Sequence, residues 1–277
     1  MMIIRETKAE DFEQIYPLLC EFQNPYLQKK QWKRLFEDLW GTSPGYCGYG
    51  MFDKDRAVGF LGLLFSERVI RNKLHRICHL TSWIVLPEYR GRSIFLLQPV
   101  LRLPNVTLVD LTPSREVYAL LKRAGFQDLE THMRFLFPFW RFSKIQIQKE
   151  AMPEPALQKV VSDHIALGCF YLKVQTPSGA CDLLLHRVIR RKAPFRVAYV
   201  LYAHPWQIFQ REASGLCKTV CKHLHVWALV VDERFLNHIP IPFSVQRKLA
   251  WPRVFRSNSL SPLDIDALYS EFPVLNI

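Results

Sequence analysis

Read for the spacing of its apolar positions, the chain begins with a short strand at Ile3 and Ile4 and then turns helical, with Phe12, Ile15, Tyr16 and Leu19 recurring at three- and four-residue steps. Thr7-Lys8-Ala9-Glu10 ahead of that stripe has the spacing of a capping box, and Pro17 within it predicts a kink or an early end. Trp32, Leu35, Phe36 and Leu39 predict a second helix. The period then shortens. Cys47 to Phe52 and Ala57 to Phe65 flank Asp53-Lys54-Asp55-Arg56, which is a hairpin signal, and Ile77 to Val85 reads as a long strand. That strand stops at Pro87, two arginines flank Gly91, and Ser93 opens the apolar pattern of another helix. A further strand, Val106 to Leu111, precedes a helix for which Ser114 or Thr112 is the cap, Val117, Leu120 and Leu121 the apolar stripe, and Gly125 the left-handed stop. The apolar run Met133 to Trp140 closes this half.

Lys149-Glu150, Pro153 and Pro155 read as a linker, so the pattern predicts two domains, 1–140 and 153–277. Beyond the linker come a helix (Ala156 to Leu167), a strand (Cys169 to Val174), a Pro177-Ser178-Gly179 turn, two strands (Cys181 to Ile189 and Arg196 to Ala203), a helix (Trp206 to His223) and a strand (Val226 to Val231). Helix, hairpin, strand, helix, strand is the order of the first half again. No residue-level repeat accompanies it, so the expected duplication is one of topology.

The turn after the long strand is where chemistry first enters. The first amides of a helix lack internal partners and lie at the positive end of its dipole, so a basic turn emptying into a helix is an anion cradle. At Val85, Pro87, Arg90, Gly91, Arg92, Ser93, Ile94 and Phe95 the sequence resembles the GNAT superfamily (Gcn5-related N-acetyltransferases), in which a strand ends in V-x-P-x-x-R-G-x-G-x-G/A and the loop amides hold the pyrophosphate of an acyl-coenzyme A. Ser93 replaces the pattern's second glycine and Phe95 its third small residue. Thr112 to Phe126 is similar to the family's next segment, N-x-x-A-x-x-L-Y-x-x-x-G-F, with Leu121 at the tyrosine position.

The resemblance implies an α/β fold, a GNAT-like mixed sheet flanked by helices, with a second, degenerate GNAT-like half. It implies acetyl-CoA or another acyl-CoA bound through Val85, Arg90, Gly91, Arg92, Ser93 and Ile94, and transfer of an acetyl or other acyl group to a small-molecule amine. The alternative is a non-catalytic GNAT-like protein whose site has decayed. An alkylamine, with a pKa of about 10, must lose a proton before it attacks a thioester, and the departing thiolate gains from an acid. The strand Ile77 to Val85 contains no carboxylate, which leaves His79 as its candidate base; Tyr118, one turn before Leu121, is the candidate acid. Aromatic residues of the first-half helices (Tyr26, Trp32, Phe36, Trp40) read as core.

The formal net charge of +12 changes this picture little. Residues 1–138 hold 19 Lys and Arg against 15 acids and the remainder 18 against 10, so most of the excess lies away from the cofactor turn and coenzyme A does not account for it. No nucleic-acid module accompanies the charge. Tandem GNAT folds also occur in the Fem-type peptidyltransferases that use aminoacyl-tRNA, which keeps tRNA as a secondary candidate. No apolar run reaches the roughly 18 residues of a membrane span and the start is amphipathic and acidic, so a cytoplasmic location is expected. Seven scattered cysteines suit a reducing compartment. Cys217, Cys221 and His225 share a helical stripe but lack a fourth ligand and read as buried structure instead of a metal site; Arg187, Arg190, Arg191, Lys192 and Arg196 read as a solvated cluster. In the second half the place of the basic turn is taken by Trp206 and Phe209, with no glycine before Gly215, so one cofactor per chain is expected.

Overall fold

In the computed structural model, residues 2–139, 144–148, 151–190 and 195–277 are described. Trp140, Lys149, Glu150, Arg191 and Lys192 of the sequence reading lie outside the described residues. The chain forms two compact units: Met1–Leu129 with Arg253–Asp264 and Tyr269–Asn276, and Glu130–Pro252 with Ile265–Leu268 and Ile277. These bounds differ from 1–140 and 153–277, because the strand that closes each unit comes from the far side of the expected division.

In the first unit β1 (Met2–Thr7) leads to α1 (Phe12–Cys20), which runs through Pro17 without ending. The pyrrolidine forfeits one amide, and the burial of Phe12, Ile15, Leu18 and Leu19 carries the helix past it. After α2 (Lys29–Arg34), β2 (Gly48–Asp53) and β3 (Arg56–Ile70) form the expected hairpin, with Lys54 in the left-handed region of its turn. β4 (Lys73–Val85) starts earlier than its apolar run because Arg71 and Asn72, both at positive φ, close a second hairpin on the Ile70–Lys73 pair. A turn without glycine gave no signal, and the flanking pair Val69–Leu74 is exposed. A 3-10 helix (Pro87–Arg92) feeds α3 (Ile94–Leu101), and β5 (Val106–Asp110) and α4 (Arg115–Arg123) follow. Neighbours β1 to β4 are antiparallel, whereas β4 and β5 are parallel. One face of this sheet buries Leu61, Leu63, Phe65, Cys78 and Leu80 with Leu96, Leu97 and Val100 of α3 and Leu121 of α4. Trp32, Phe36 and Trp40 are buried as the sequence suggests, Phe36 stacking on Phe60; Tyr26 is exposed.

β6 (Gln127–Leu136) begins in the first unit and continues in the second, where it pairs antiparallel with the strand Ala228–Asp232. The second unit adds β7 (Gln146–Ile147), α5 (Gln158–Ala166), β8 (Phe170–Thr176), β9 (Gly179–Arg190), β10 (Phe195–His204), α6 (Trp206–Leu224) and β11 (Ala228–Asp232). Strands β7 to β10 are antiparallel neighbours, while β10 and β11 are parallel. The apolar stripe of α6, with Phe209, Leu216 and Val220 fully buried, packs on Leu183, Leu185, Ala198 and Leu229. Cys217 and Cys221 belong to that core, and the Cys217 thiol donates to the Leu136 carbonyl at 3.2 Å. Arg187 is half-buried rather than solvated: it donates to the Leu224 carbonyl and lies over the Phe170 ring.

Two elements at the chain's end escaped the sequence reading. β12 (Ser244–Arg256) crosses between the units in sequence, and its last residues pair with β5, Val254 opposite Asp110. Pro252 within it breaks the strand signal. α7 (Glu271–Leu275) belongs to the first unit, where the Arg34 guanidinium donates to the Val274 carbonyl. Each unit is thus a mixed sheet with helices on it, the α/β architecture that the resemblance implies.

Candidate active site

A fork between β4 and β5 defines the site. The two strands pair from Arg76–Val106 to His79–Val109 and no further. On its other edge β4 carries a bulge: Thr81 pairs with Gly62 and Ile84 with Phe60, so Ser82 and Trp83 together face Leu61, and Ser82 takes a left-handed φ of 52°. The extra residue bends the strand away from β5, whose Asp110 is taken up by β12. A crevice between the carboxyl ends of parallel strands is where α/β sheets bind ligands, and a strained residue held beside it is of the kind that clusters at functional sites.

The turn after β4 forms one rim. Val85 is buried in the core, and the Leu86 amide donates to the Val58 carbonyl, fixing where the strand ends. The Tyr89 hydroxyl donates to Asp53 at 2.7 Å, tying the turn to the β2–β3 hairpin and holding the Asp53 carboxyl below its usual range. Arg90, Gly91 and Arg92 are exposed, with no ion-pair partner for either arginine among the described residues; Ser93 and Ile94 are half-buried. A side chain grown on Gly91 would meet no atom within 4 Å, so open space lies against the backbone between Arg90 and Arg92. The Ser93 amide is already bonded to the Arg90 carbonyl at 3.1 Å. The arginines and the head of α3 are the elements that could hold an anion here. Phe95, on the first turn of α3, is 41% exposed.

The start of α4 forms the opposite rim. Ser114, not Thr112, is the cap, its Oγ accepting from the Val117 amide at 3.3 Å, and Gly125 terminates the helix at φ 85°. Glu116 is held in its charged form by its own backbone amide and Ser114, with Arg115 and Arg90 adding to the effect. The Tyr118 hydroxyl donates to Asp128 at 3.0 Å, and Lys122 pairs with the same carboxylate. Partial burial and that bond both keep the phenol protonated, raising its pKa. Leu121 is fully buried.

His79 lies inside the sheet. It is the last β4 residue paired to β5, opposite Val109, and only 1% of it is accessible. The structure therefore puts the two sequence-predicted catalytic residues in unlike settings: a buried strand histidine, and a helix tyrosine engaged with Asp128.

Sequence reasoning missed the polar groups at the fork itself. Asp110, first beyond the last β4–β5 pair, is buried and accepts from the Thr112 amide at 3.0 Å. The Thr112 hydroxyl donates to the fully buried Glu271 at 2.9 Å, burial raises the pKa of both acids, and the charge of Glu271 adds to the rise at Asp110. Arg253 is buried beside Glu271 and favours its ionised form. An acid ending an apolar strand, V-T-L-V-D, was the one available signal; Glu271 had none.

In the second unit the corresponding junction is closed. Trp206 begins α6 stacked on Phe235 (centroids 4.3 Å apart, planes 1° from parallel) and edge-on to Phe209 at 5.4 Å.

No protein-family model matches this chain, and no curated protein sequence does. Solved structures do. A GCN5-related N-acetyltransferase from Anabaena variabilis superposes with a TM-score of 0.59 at 10% identity over 92% of this chain and 72% of that one. One from Kribbella flavida gives 0.54 at 11% identity over 93% and 71%. The GCN5-related glucosamine N-acetyltransferase region of a fungal multi-domain β-N-acetylglucosaminidase gives 0.62 at 14% over 92% of this chain and 38% of the longer protein. The fold is therefore that of the GCN5-related N-acetyltransferases, and the matches span both units. Among the described residues no helix is long and apolar enough to cross a membrane.

Proposed function

We propose that the first unit binds an acyl-coenzyme A, acetyl-CoA being the simplest, and that the protein transfers its acyl group to a small-molecule amine. The observation that carries this reading is the fork: two parallel strands parted by a bulge, with an exposed arginine–glycine–arginine turn at the head of the helix that leaves the parted strand. The residues present suit the ligand. Arg90 and Arg92 offer charge-assisted bonds to phosphate, the space beside Gly91 admits a close approach, and Val85, Ser93 and Ile94 shape the wall next to it. Bound acyl-CoA supplies an acyl carbon activated as a thioester; what the chain adds is position and proton handling. Tyr118, kept protonated, serves as the donor for a departing thiolate, at the expense of its bond to Asp128. His79 in this reading sets the depth of the fork and does not touch the acceptor. The second unit lacks the turn, and its closed aromatic junction is why a single ligand per chain belongs to the proposal. Fold likeness at these identities does not name a substrate; glucosamine is the acceptor class of one similar structure and a sensible member of any amine panel.

Calorimetric titration with acetyl-CoA tests the reading directly, and one site per chain is the expected stoichiometry. Saturating ligand that produces neither heat nor a thermal shift instead supports a protein that has kept the fold and lost the chemistry. Where binding occurs, thiol release with a panel of primary amines should be slower in Tyr118→Phe while the acetyl-CoA Kd is unchanged.

A further inference from the structure

The fork holds a polar assembly that neither the resemblance nor the comparisons assign. Thr112 lies on the loop leaving β5, exposed, with its hydroxyl pointed at a carboxylate that is not. That carboxylate, Glu271, opens α7 and arrives from 159 residues away in sequence. The oxygen facing Thr112 is satisfied at 2.9 Å, whereas Oε2 is buried without a hydrogen-bond partner among the described residues. An ionisable group with an unsatisfied oxygen in the interior is costly to keep and calls for an explanation. Asp110 on β5 and Arg253 on β12 are its ionisable neighbours: the Glu271 charge raises the pKa of Asp110, and Arg253 favours the ionised form of Glu271. Thr112 links the two acids, its amide donating to Asp110 and its hydroxyl to Glu271.

We propose that the Thr112 hydroxyl, backed by the Glu271 carboxylate, takes the proton of the acceptor's ammonium group at the fork. The proposal rests on the acyl-transfer reading above and supplies the base that β4 lacks. One ammonium proton is transferred to Thr112 Oγ1 while the Oγ1 proton passes to Glu271, so the hydroxyl is restored and Glu271 ends protonated. The freed nitrogen lone pair forms the C–N bond to the acyl carbon as the C–S bond breaks; the thiolate takes the proton of the Tyr118 phenol, and the second proton that the attacking nitrogen sheds restores that phenol, so the products are the neutral amide and the free thiol, with Glu271 returning its proton to solvent. No oxidant or further reactant enters. Thr112 is the residue that touches the acceptor; Glu271 acts through it and is a positioning and proton-storing group. Burial serves this arrangement, since a carboxylate withdrawn from water is a stronger base than a solvated one.

Three variants of the full chain separate this from a structural role: Thr112→Val, which keeps the shape and removes the hydroxyl, Thr112→Ser, which keeps the hydroxyl, and Glu271→Gln. The expected result with acetyl-CoA and a panel of primary amines is that Thr112→Val and Glu271→Gln lower the rate of thiol release by about a hundredfold or more, that Thr112→Ser retains it, and that the acetyl-CoA Kd does not move. A second readout needs no ligand. The infrared titration of the Glu271 carboxyl, taken as the difference between the parent protein and Glu271→Gln, should shift upward in Thr112→Val and not in Thr112→Ser, because the hydroxyl's bond favours the carboxylate. Release rates within threefold of the parent in Thr112→Val, an unmoved carboxyl titration, or acetyl-CoA that binds without thiol release to any amine would each overturn the relay. Failure of acetyl-CoA to bind the parent protein is a different outcome and removes the acyl-transfer reading beneath it. Should Glu271→Gln not fold, the valine and serine pair decides alone.

Discussion

The two units follow one course and part company at one junction. In each, antiparallel strands lead to a bulged strand (Ser82 in β4, Leu201 in β10), a helix crosses over, and the next strand pairs parallel to the bulged one for only a few residues. Where the bulged strand gives way to the helix, however, the first unit presents exposed Arg90, Gly91 and Arg92, and the second presents Trp206 stacked on Phe235 and edge-on to Phe209. Bulge, fork and crossover are thus properties of the backbone that both units keep. Whether the fork can receive an anion depends on half a dozen side chains at the helix head, and these differ completely.

Reversing the charge at the open junction should break the comparison most severely. Arg90→Glu with Arg92→Glu removes two charge-assisted contacts, each of about 1.5–3 kcal/mol, and adds repulsion, so acetyl-CoA affinity should fall by at least about a hundredfold. Both side chains are exposed, so the thermal midpoint should hardly change. Titration calorimetry reads both affinity and stoichiometry. Binding that survives the double reversal, or two equivalent sites in the parent chain, would falsify the division of labour between the units.

What the sequence disclosed follows from how local each signal is. The β2–β3 turn was legible in Asp53-Lys54-Asp55-Arg56 and α4 in Ser114 and Gly125, because caps and turns depend on residues within one turn of each other. The junction after β4 was legible for the same reason. The exchange of closing strands was not: the apolar run Met133 to Trp140 reads as the close of the first half, yet nothing in it says that Met133 to Leu136 pair with β11 and that β5 takes Val254. The fork's acids were hidden likewise. Asp110 and Glu271 meet only through the tertiary fold, and a glutamate ahead of Phe272-Pro273-Val274 carries no spacing that would link it to Thr112. His79 is the converse case: a titratable residue on the right strand invites a catalytic reading from the sequence, while its burial, between Leu64 and Val109 in the sheet register, is visible only in the fold.

The units should also respond oppositely to acid. His186 in β9 is buried, and desolvation lowers its pKa from 6.5 to about 4. Its stabilising contribution is complete above pH 6.5 and is lost as pH falls toward 4, at a cost of about 3 kcal/mol to the second unit. Asp110 and Glu271 have raised values, so their sign is reversed: they favour the folded first unit at low pH and lose that contribution as pH rises. Hydrogen exchange between pH 7 and pH 4 should therefore show protection falling first in β9 and its neighbours, and His186→Leu should flatten the trend. Equal loss of protection in both units would show that the histidine does not govern the acid limb.

Trp206→Ala tests the closed junction. The indole is half-buried on Phe235 and Phe209, so its removal should destabilise the second unit by about 2 kcal/mol, less than the 3–5 typical of a fully buried tryptophan. Urea unfolding measures this. Acetyl-CoA stoichiometry should stay at one, because clearing the ring supplies neither the arginines nor the open glycine of the first unit.

The smallest effect is expected from the matching change at the open junction, Phe95→Ala. Phe95 occupies the first turn of α3 as Trp206 occupies that of α6, but its ring is 41% exposed where Trp206 is stacked. Area already in contact with water contributes little to folding, so stability should change by no more than about 0.5 kcal/mol. The ligand side is the more informative half. Phe95 stands where the family pattern has a small residue, and a ring lying across the ligand's path would be relieved by truncation. An affinity within about threefold of the parent means the exposed ring lies clear of the anion cradle, so that Arg90, Gly91 and Arg92 alone define it. A tenfold tightening would instead mark Phe95 as a partial plug, making the two junctions differ in degree of closure and not in kind.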